Sequence, residues 1–240
     1  RTLMCSGFFL YFFILCDIVY LVFSIGGNAM KFLHKGINSM EGEYVGEFLN
    51  GKMHGHGTIV WPNGMKYEGC FENGSIWGVG KYSFPDGSVY EGDVLNGMLS
   101  GQGVFTWADG TRYEGPFVNN CSNGKGKMYF ADGRFYDGWF RNGLKYGRGT
   151  FTWPSGDKYE GMFAEDKCHG KGKFFFASGD VYEGDFSNDM ICGHGVSTGV
   201  GGWRYEGEFR YNQRCGQGTL LYGDLREYKG EFKNDLRNGK

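Results

Sequence analysis

The sequence predicts an all-β fold, an elongated single-layer antiparallel meander of tandem 23-residue β-hairpins, and three observations carry that prediction. Tyrosine recurs at Tyr44, Tyr67, Tyr90, Tyr113, Tyr136, Tyr159, Tyr182, Tyr205 and Tyr228, always 23 residues apart, without one insertion or deletion. Two residues after each comes glycine, and four after it phenylalanine, with Val94 the single exception. The composition joins 45 Gly to 22 Phe and 16 Tyr. A flexible linker has the glycine without the rings, and an ordinary core has the rings without so much glycine. Glycine set between large rings marks close approach of backbone and ring in a β architecture, and a fixed period of this length is the signature of a repeat array.

Each unit reads as two strands. In the first, Tyr-x-Gly-x-Phe alternates with period two, so Tyr, Gly and Phe share one face. A Gly-x-Gly pair follows, from Gly55/Gly57 through Gly216/Gly218. The second strand is predicted from the later of those glycines, where alternate large residues continue one face: Ile59/Trp61, Tyr82/Phe84, Phe105/Trp107 and Phe151/Trp153. Pro62-Asn63-Gly64 and its equivalents supply the reversing turn. Two strands per repeat advance a sheet by about 9.5 Å, and each repeat buries surface only against its neighbours. A single layer leaves part of its aromatic face uncovered. Tyr67, Phe71, Trp61, Tyr90, Phe84, Trp107, Tyr113, Phe117, Trp153, Tyr159 and Phe163 are therefore the candidate partner-binding face. Repeat seven departs most, since Ser197-Thr198-Gly199-Val200-Gly201-Gly202 replaces the aromatic strand and predicts local fraying.

The stretch Tyr67-Glu68-Gly69-Cys70-Phe71-Glu72-Asn73-Gly74, together with His54-Gly55-His56-Gly57, resembles the MORN family (membrane occupation and recognition nexus), and the resemblance runs from Tyr44 to Lys240. Such arrays occur in ciliary and cytoskeletal scaffolds, in proteins that hold two membranes close, and ahead of catalytic domains in phosphatidylinositol-phosphate kinases and a lysine methyltransferase family. The resemblance implies a non-catalytic scaffold for protein–protein interaction, cytoplasmic and in a ciliary or cytoskeletal assembly. Two alternatives stand beside it. One is a membrane-associated tethering or lipid-binding module. The other is the regulatory region of a larger enzyme, kinase-like or methyltransferase-like, whose catalytic domain lies beyond Lys240.

A net charge of −2 and a pI near 6.2 give no electrostatic footprint for nucleic acid. A membrane surface is disfavoured because the basic residues are interspersed with acids. The expected partner is a protein, a peptide or helix lying along the aromatic face, and a homodimer is a further option. A second periodicity sets Lys66, Arg112, Lys158 and Arg204 at the ends of alternate units, while the units between carry Lys81, Lys127 and Lys173 on the second strand. Duplication of a 46-residue pair explains this alternation; so does a partner touching every second hairpin.

Chemistry is sparse. Gly46 to Lys52 has the spacing of a phosphate loop, but Met53 stands where Ser or Thr is required and the segment joins two strands. His54, His56, His169 and His194 fall at repeat positions, and no HExxH or CxxC pattern accompanies them. No nucleophile is paired with a base. The reading is that the chain is not an enzyme and holds no metal or cofactor.

Residues 1–40 form an apolar segment, with an uncharged run from Phe8 to Ile25 broken by Asp17. A membrane helix, a signal segment, or a stretch upstream of a true start at Met30 or Met40 are the readings for it. Residues 41–240 hold eight full repeats and a truncated ninth. Cys192 and Cys215 occupy equivalent positions, about 9.5 Å apart by strand spacing. That exceeds the roughly 7 Å a disulfide spans, so reduced thiols in the cytosol are expected.

Overall fold

The computed structural model describes residues 19–22, 30–35 and 41–238, and among them every regular element is a β-strand. The chain divides into two compact units, residues 1–124 and 125–240. That division falls inside the repeat array, at a place the 23-residue spacing does not mark. Within each unit, consecutive strands pair antiparallel in a single layer, for example Lys66–Glu72 with Ser75–Ser83 in the first and Lys158–Ala164 with Lys167–Phe175 in the second. The second strand of a repeat starts earlier than the spacing predicts and runs straight through Gly-x-Gly. The two strands are joined by a turn whose central residues both have positive φ, 51° and 91° at Asn73-Gly74 and 49° and 68° at Glu165-Asp166. This two-residue turn matches the twist of the flanking strands and favours Asn, Asp and Gly.

The core follows from the glycines. In each hairpin two glycines face one another across the ladder, Gly69 with Gly80 and Gly161 with Gly172. A Cβ at any of these four would collide with the ring of Tyr67 or Tyr159. The tyrosine therefore lies flat across a bare patch of its own hairpin. Its hydroxyl donates to a carbonyl three residues on, Tyr136 to Trp139 at 3.0 Å and Tyr159 to Met162 at 2.9 Å. One edge is closed by the phenylalanine of the same strand and the other by the phenylalanine of the next repeat. Tyr159 meets Phe163 at 5.2 Å and Phe186 at 4.8 Å between ring centroids, both edge-to-face. The eight tyrosines at the repeat position from Tyr44 to Tyr205 are all 0–1% exposed.

That closure corrects the sequence reading of the aromatic face. Tyr67, Tyr90, Tyr113, Tyr159, Phe71, Phe117, Phe163 and Trp61 are core, none more than 4% exposed. Only Phe84, Trp107 and Trp153 of the expected eleven keep partial exposure. Trp107 packs on Phe105, and Trp153 lies between Phe151 and Phe174.

Adjacent hairpins are also joined through their turns. The backbone N–H of the second turn residue donates to a carbonyl of the preceding repeat, as from Gly74 to Met53 at 2.9 Å and from Asp189 to Cys168 at 3.1 Å. Where that residue is Asp or Asn, its side chain also accepts a return bond, as from the Cys168 N–H to Asp189 at 2.7 Å.

Repeat seven does not fray. Met190–Thr198 pairs with both neighbours through Thr198, and the turn closes with the Gly199 N–H donating to Trp203 at 3.0 Å. The Trp203 indole occupies the space a Cβ on Gly199 would need, restoring a ring where the repeat lacks one.

Of the N-terminal run, Val19–Val22 forms a strand paired with Met30–Lys35, which in turn pairs with Glu41–Leu49. The rest of the apolar segment lies outside the described residues. Among the described residues no helix is long and apolar enough to cross a membrane.

Candidate functional site: a trough on the face opposite the tyrosines

Period-two alternation sends the residues one and three positions after each tyrosine to the other face, along with the residue between the glycines of Gly-x-Gly. In the second unit this face encloses a trough of about 1360 Å³ that runs from Lys125 to Glu206. Its floor carries Trp139 and Met162, 52% and 38% exposed despite their size. Beside them stands a column from the Gly-x-Gly centres, Lys125, Arg148, Lys171 and His194. Arg148 pairs directly across the ladder with Met162, and Lys171 with Asp185.

The walls are charged but largely neutralised. Lys158 reaches Glu160 at 2.7 Å, Lys173 reaches Glu183 at 3.2 Å and Arg204 reaches Glu206 at 2.6 Å. Lys171 reaches Asp185 at 2.7 Å. Exposed pairs of this kind contribute roughly 0–1 kcal/mol each, so they shape the surface more than they hold the fold. Lys125, Arg148 and Asp137 line the trough without an ion pair among the described residues.

The expected alternate-repeat basic row is located by the same pairs. Lys66 binds Glu68 at 2.7 Å, Arg112 binds Glu114, and Lys158 and Arg204 bind their own glutamates. The intervening Lys81 and Lys173 are paired likewise, Lys81 with Glu91 at 2.6 Å. Both rows therefore lie on the face away from the tyrosines, and among the described residues all of their members but Lys127 are paired within the chain. The residues that reasoning from the sequence passed over are Lys125, Trp139, Arg148 and Met162. Reading the Gly-x-Gly centre and the third residue after Tyr down the array, repeat by repeat, would have found them.

Four hairpins share a local device on this face. Each second strand carries a bulge whose first glycine has positive φ, 63° at Gly55, 57° at Gly101, 61° at Gly193 and 55° at Gly216. The next backbone N–H donates to the carboxylate three residues after the tyrosine: His56 to Glu47 at 3.1 Å, Gln102 to Asp93 at 2.8 Å, His194 to Asp185 at 3.2 Å and Gln217 to Glu208 at 3.3 Å. The bulges at Gly147 and Gly170 have the same geometry, with φ of 67° and 64°. There the capping position holds Trp139 and Met162, which offer no carboxylate.

Burial raises the hydroxyl pKa of the core tyrosines, and that of Tyr205 is pushed up to about 12. It also raises the thiols of Cys168, Cys192 and Cys215, with Asp189, Asp185 and Glu208 adding to the effect. The five described cysteines are all free thiols, and their raised pKa values suppress the reactive thiolate at Cys168, Cys192 and Cys215. Among the described residues no group of three or more His, Cys, Asp or Glu could hold a metal ion.

Fold and face together define a β-hairpin repeat protein with a closed aromatic core on one side and an open trough on the other. The MORN repeat matches nine consecutive stretches, 44–66, 67–89, 90–112, 113–133, 136–158, 159–181, 182–204, 205–224 and 228–240, and the chain belongs to the MORN-repeat family. A comparison with curated proteins finds no match. Among solved structures, the chain is similar to a mutant TCP10 domain of Danio rerio CPAP at 13% identity, covering 89% of this chain and 99% of that one, with a TM-score of 0.43. It is also similar to the CPAP G-box domain at 12% identity, 90% and 99% coverage and a TM-score of 0.32. The TCP10c domain of Drosophila melanogaster Sas-4 matches at 12% identity, 75% and 93% coverage and a TM-score of 0.33. These are likenesses of strand arrangement alone.

Proposed function

We propose that the chain is a non-catalytic repeat scaffold that holds a protein partner in the trough of its second unit, within a ciliary or cytoskeletal assembly. The observation that carries this reading is the pair of large apolar side chains, Trp139 and Met162, left exposed beside the unpaired Lys125 and Arg148. Exposed apolar side chains gathered in a concavity, with unpaired charge beside them, mark a contact surface. The aromatic row on the opposite face is already closed by its neighbours, so the partner's place moves from that row to the trough. The assembly and the cytoplasmic location rest on membership of the MORN family.

The test is proximity labelling in ciliated cells expressing the full chain. Wild type should label axonemal or other cytoskeletal proteins, and Trp139→Ala with Met162→Ala should lose that labelling while keeping the wild-type circular dichroism. Identical labelling by both forms would overturn the trough as the docking place, and labelling confined to membrane proteins would overturn the assembly.

A further inference from the structure

We propose that the partner bound in the trough is an acidic peptide in polyproline II conformation, whose carboxylates cap the Arg148 and Lys171 bulges. This rests on the trough being the docking site. Its independent support is internal to the fold. In four hairpins the bulge N–H next to a glycine with φ of 55–63° donates to the chain's own carboxylate. The bulges at Gly147 and Gly170 keep that backbone geometry, at 67° and 64°, with Trp139 and Met162 in place of the acid. The adjacent caps at Gly147 and Gly170 are therefore vacant, and the large apolar side chains of Trp139 and Met162 stand exposed beside them.

The charges agree. Arg148 makes no ion pair among the described residues, nor does Lys125, and the Lys171 side chain is 75% exposed although it touches Asp185. A carboxylate arriving at either bulge meets both an N–H and a cation, which gives the shorter and stronger charge-assisted hydrogen bond. Asp137 and Glu160 are the acidic side chains lining that stretch of the trough, Glu160 already paired with Lys158.

The spacing selects the peptide's conformation. Consecutive bulges lie one repeat apart, about 9.5 Å by strand spacing. A polyproline II chain has three residues per turn and advances about 9.3 Å in them. Acids at every third residue would therefore fall on one side of the peptide, in step with the hairpins, and apolar residues between them would rest on Trp139 and Met162.

The experiment uses the full chain and a fluorescein-labelled peptide of repeated Glu-Pro-Pro, read by anisotropy, beside the same peptide with Gln for Glu. The acidic peptide should bind about tenfold more tightly or better, a margin that shrinks as salt rises. Trp139→Asp restores the chain's own cap and should weaken binding more than Trp139→Ala, which removes only the apolar contact. Met162→Asp tests the neighbouring bulge in the same way should Trp139→Asp fail to fold. Equal binding of the Glu and Gln peptides, or an Asp variant that binds as well as the Ala variant, overturns the proposal. So does binding to phosphatidylserine vesicles in place of the peptide. If the cellular partner is still lost from Trp139→Ala, the docking trough stands and only the acidic occupant falls.

Discussion

The described hairpins of the first unit and those of the second share one 23-residue frame but differ in how neighbouring repeats are fastened. In the first, the second turn residue is Gly51, Gly74 and Gly97 before Asn120 closes the series. Gly97 donates its N–H to the Ile76 carbonyl at 3.1 Å and has no side chain to accept a bond in return. In the second unit Gly143 comes first, and from the next hairpin on Asp166, Asp189, Asn212 and Asp235 add a return bond, accepting from Lys145 at 2.9 Å, Cys168 at 2.7 Å, Ile191 at 2.7 Å and Arg214 at 2.9 Å. The lesson is that core and fastening are separate devices. The Tyr–Gly–Phe packing recurs across the array with Val94 the one replacement of Phe, so differences in stability between its two parts are expected to come mainly from the turns.

The largest effect tests the shared part. Replacing Tyr67 or Tyr159 with Ala removes a buried ring that its neighbours cannot collapse upon, and each should cost about 3–5 kcal/mol. Urea denaturation that shows one of the two costing several times less would break the claim of a uniform core. Alkali acts on the same rings. A tyrosine whose folded pKa lies above its unfolded value of 10 contributes fully below pH 10 and loses that contribution as pH rises toward the folded value, about 12 at Tyr205. The folded chain should thus titrate its core phenols later than free tyrosine and unfold progressively above pH 10. Ordinary phenol titration in a chain that stays folded would contradict the buried rings.

The fastening difference is smaller. Asp189→Ala should lose about 2 kcal/mol, the net worth of one hydrogen bond plus the strain of positive φ on alanine. Gly97→Asn, at φ 78° in the first unit, should gain about half of that by supplying the missing acceptor to Ile76. Thermal melts of the two variants resolve the sign. A Gly97→Asn chain less stable than wild type would show that the return bond is not what separates the regions.

Much of this was legible beforehand. The spacing of Tyr, Gly and Phe carried the hairpins, their antiparallel order and their alternating faces, because period-two patterning and glycine placement are local properties. The fate of the tyrosines was not legible. Alternation assigns Tyr159 to a face but does not say that its ring lies down over Gly161 and Gly172, with Phe186 of the next repeat closing the edge. A layer that covers itself in this way leaves little for a partner, which is why the expected aromatic face became core. Repeat seven misled for a related reason: Trp203 fills from outside the strand the space expected to stand empty. The trough was invisible because Lys125, Arg148, Trp139 and Met162 are ordinary variable positions until the ladder sets Arg148 against Met162.

The flat tyrosine has one more consequence, for how such a chain can change over time. Because ring, glycine pair and neighbouring phenylalanine interlock at a fixed distance along the sequence, a repeat is expected to tolerate no change in length. The opposite face shares none of those contacts and is free to accept substitutions. A lineage of such proteins would therefore keep its metre and rewrite its words, altering what the trough recognises one column at a time while the hairpins beneath stay the same.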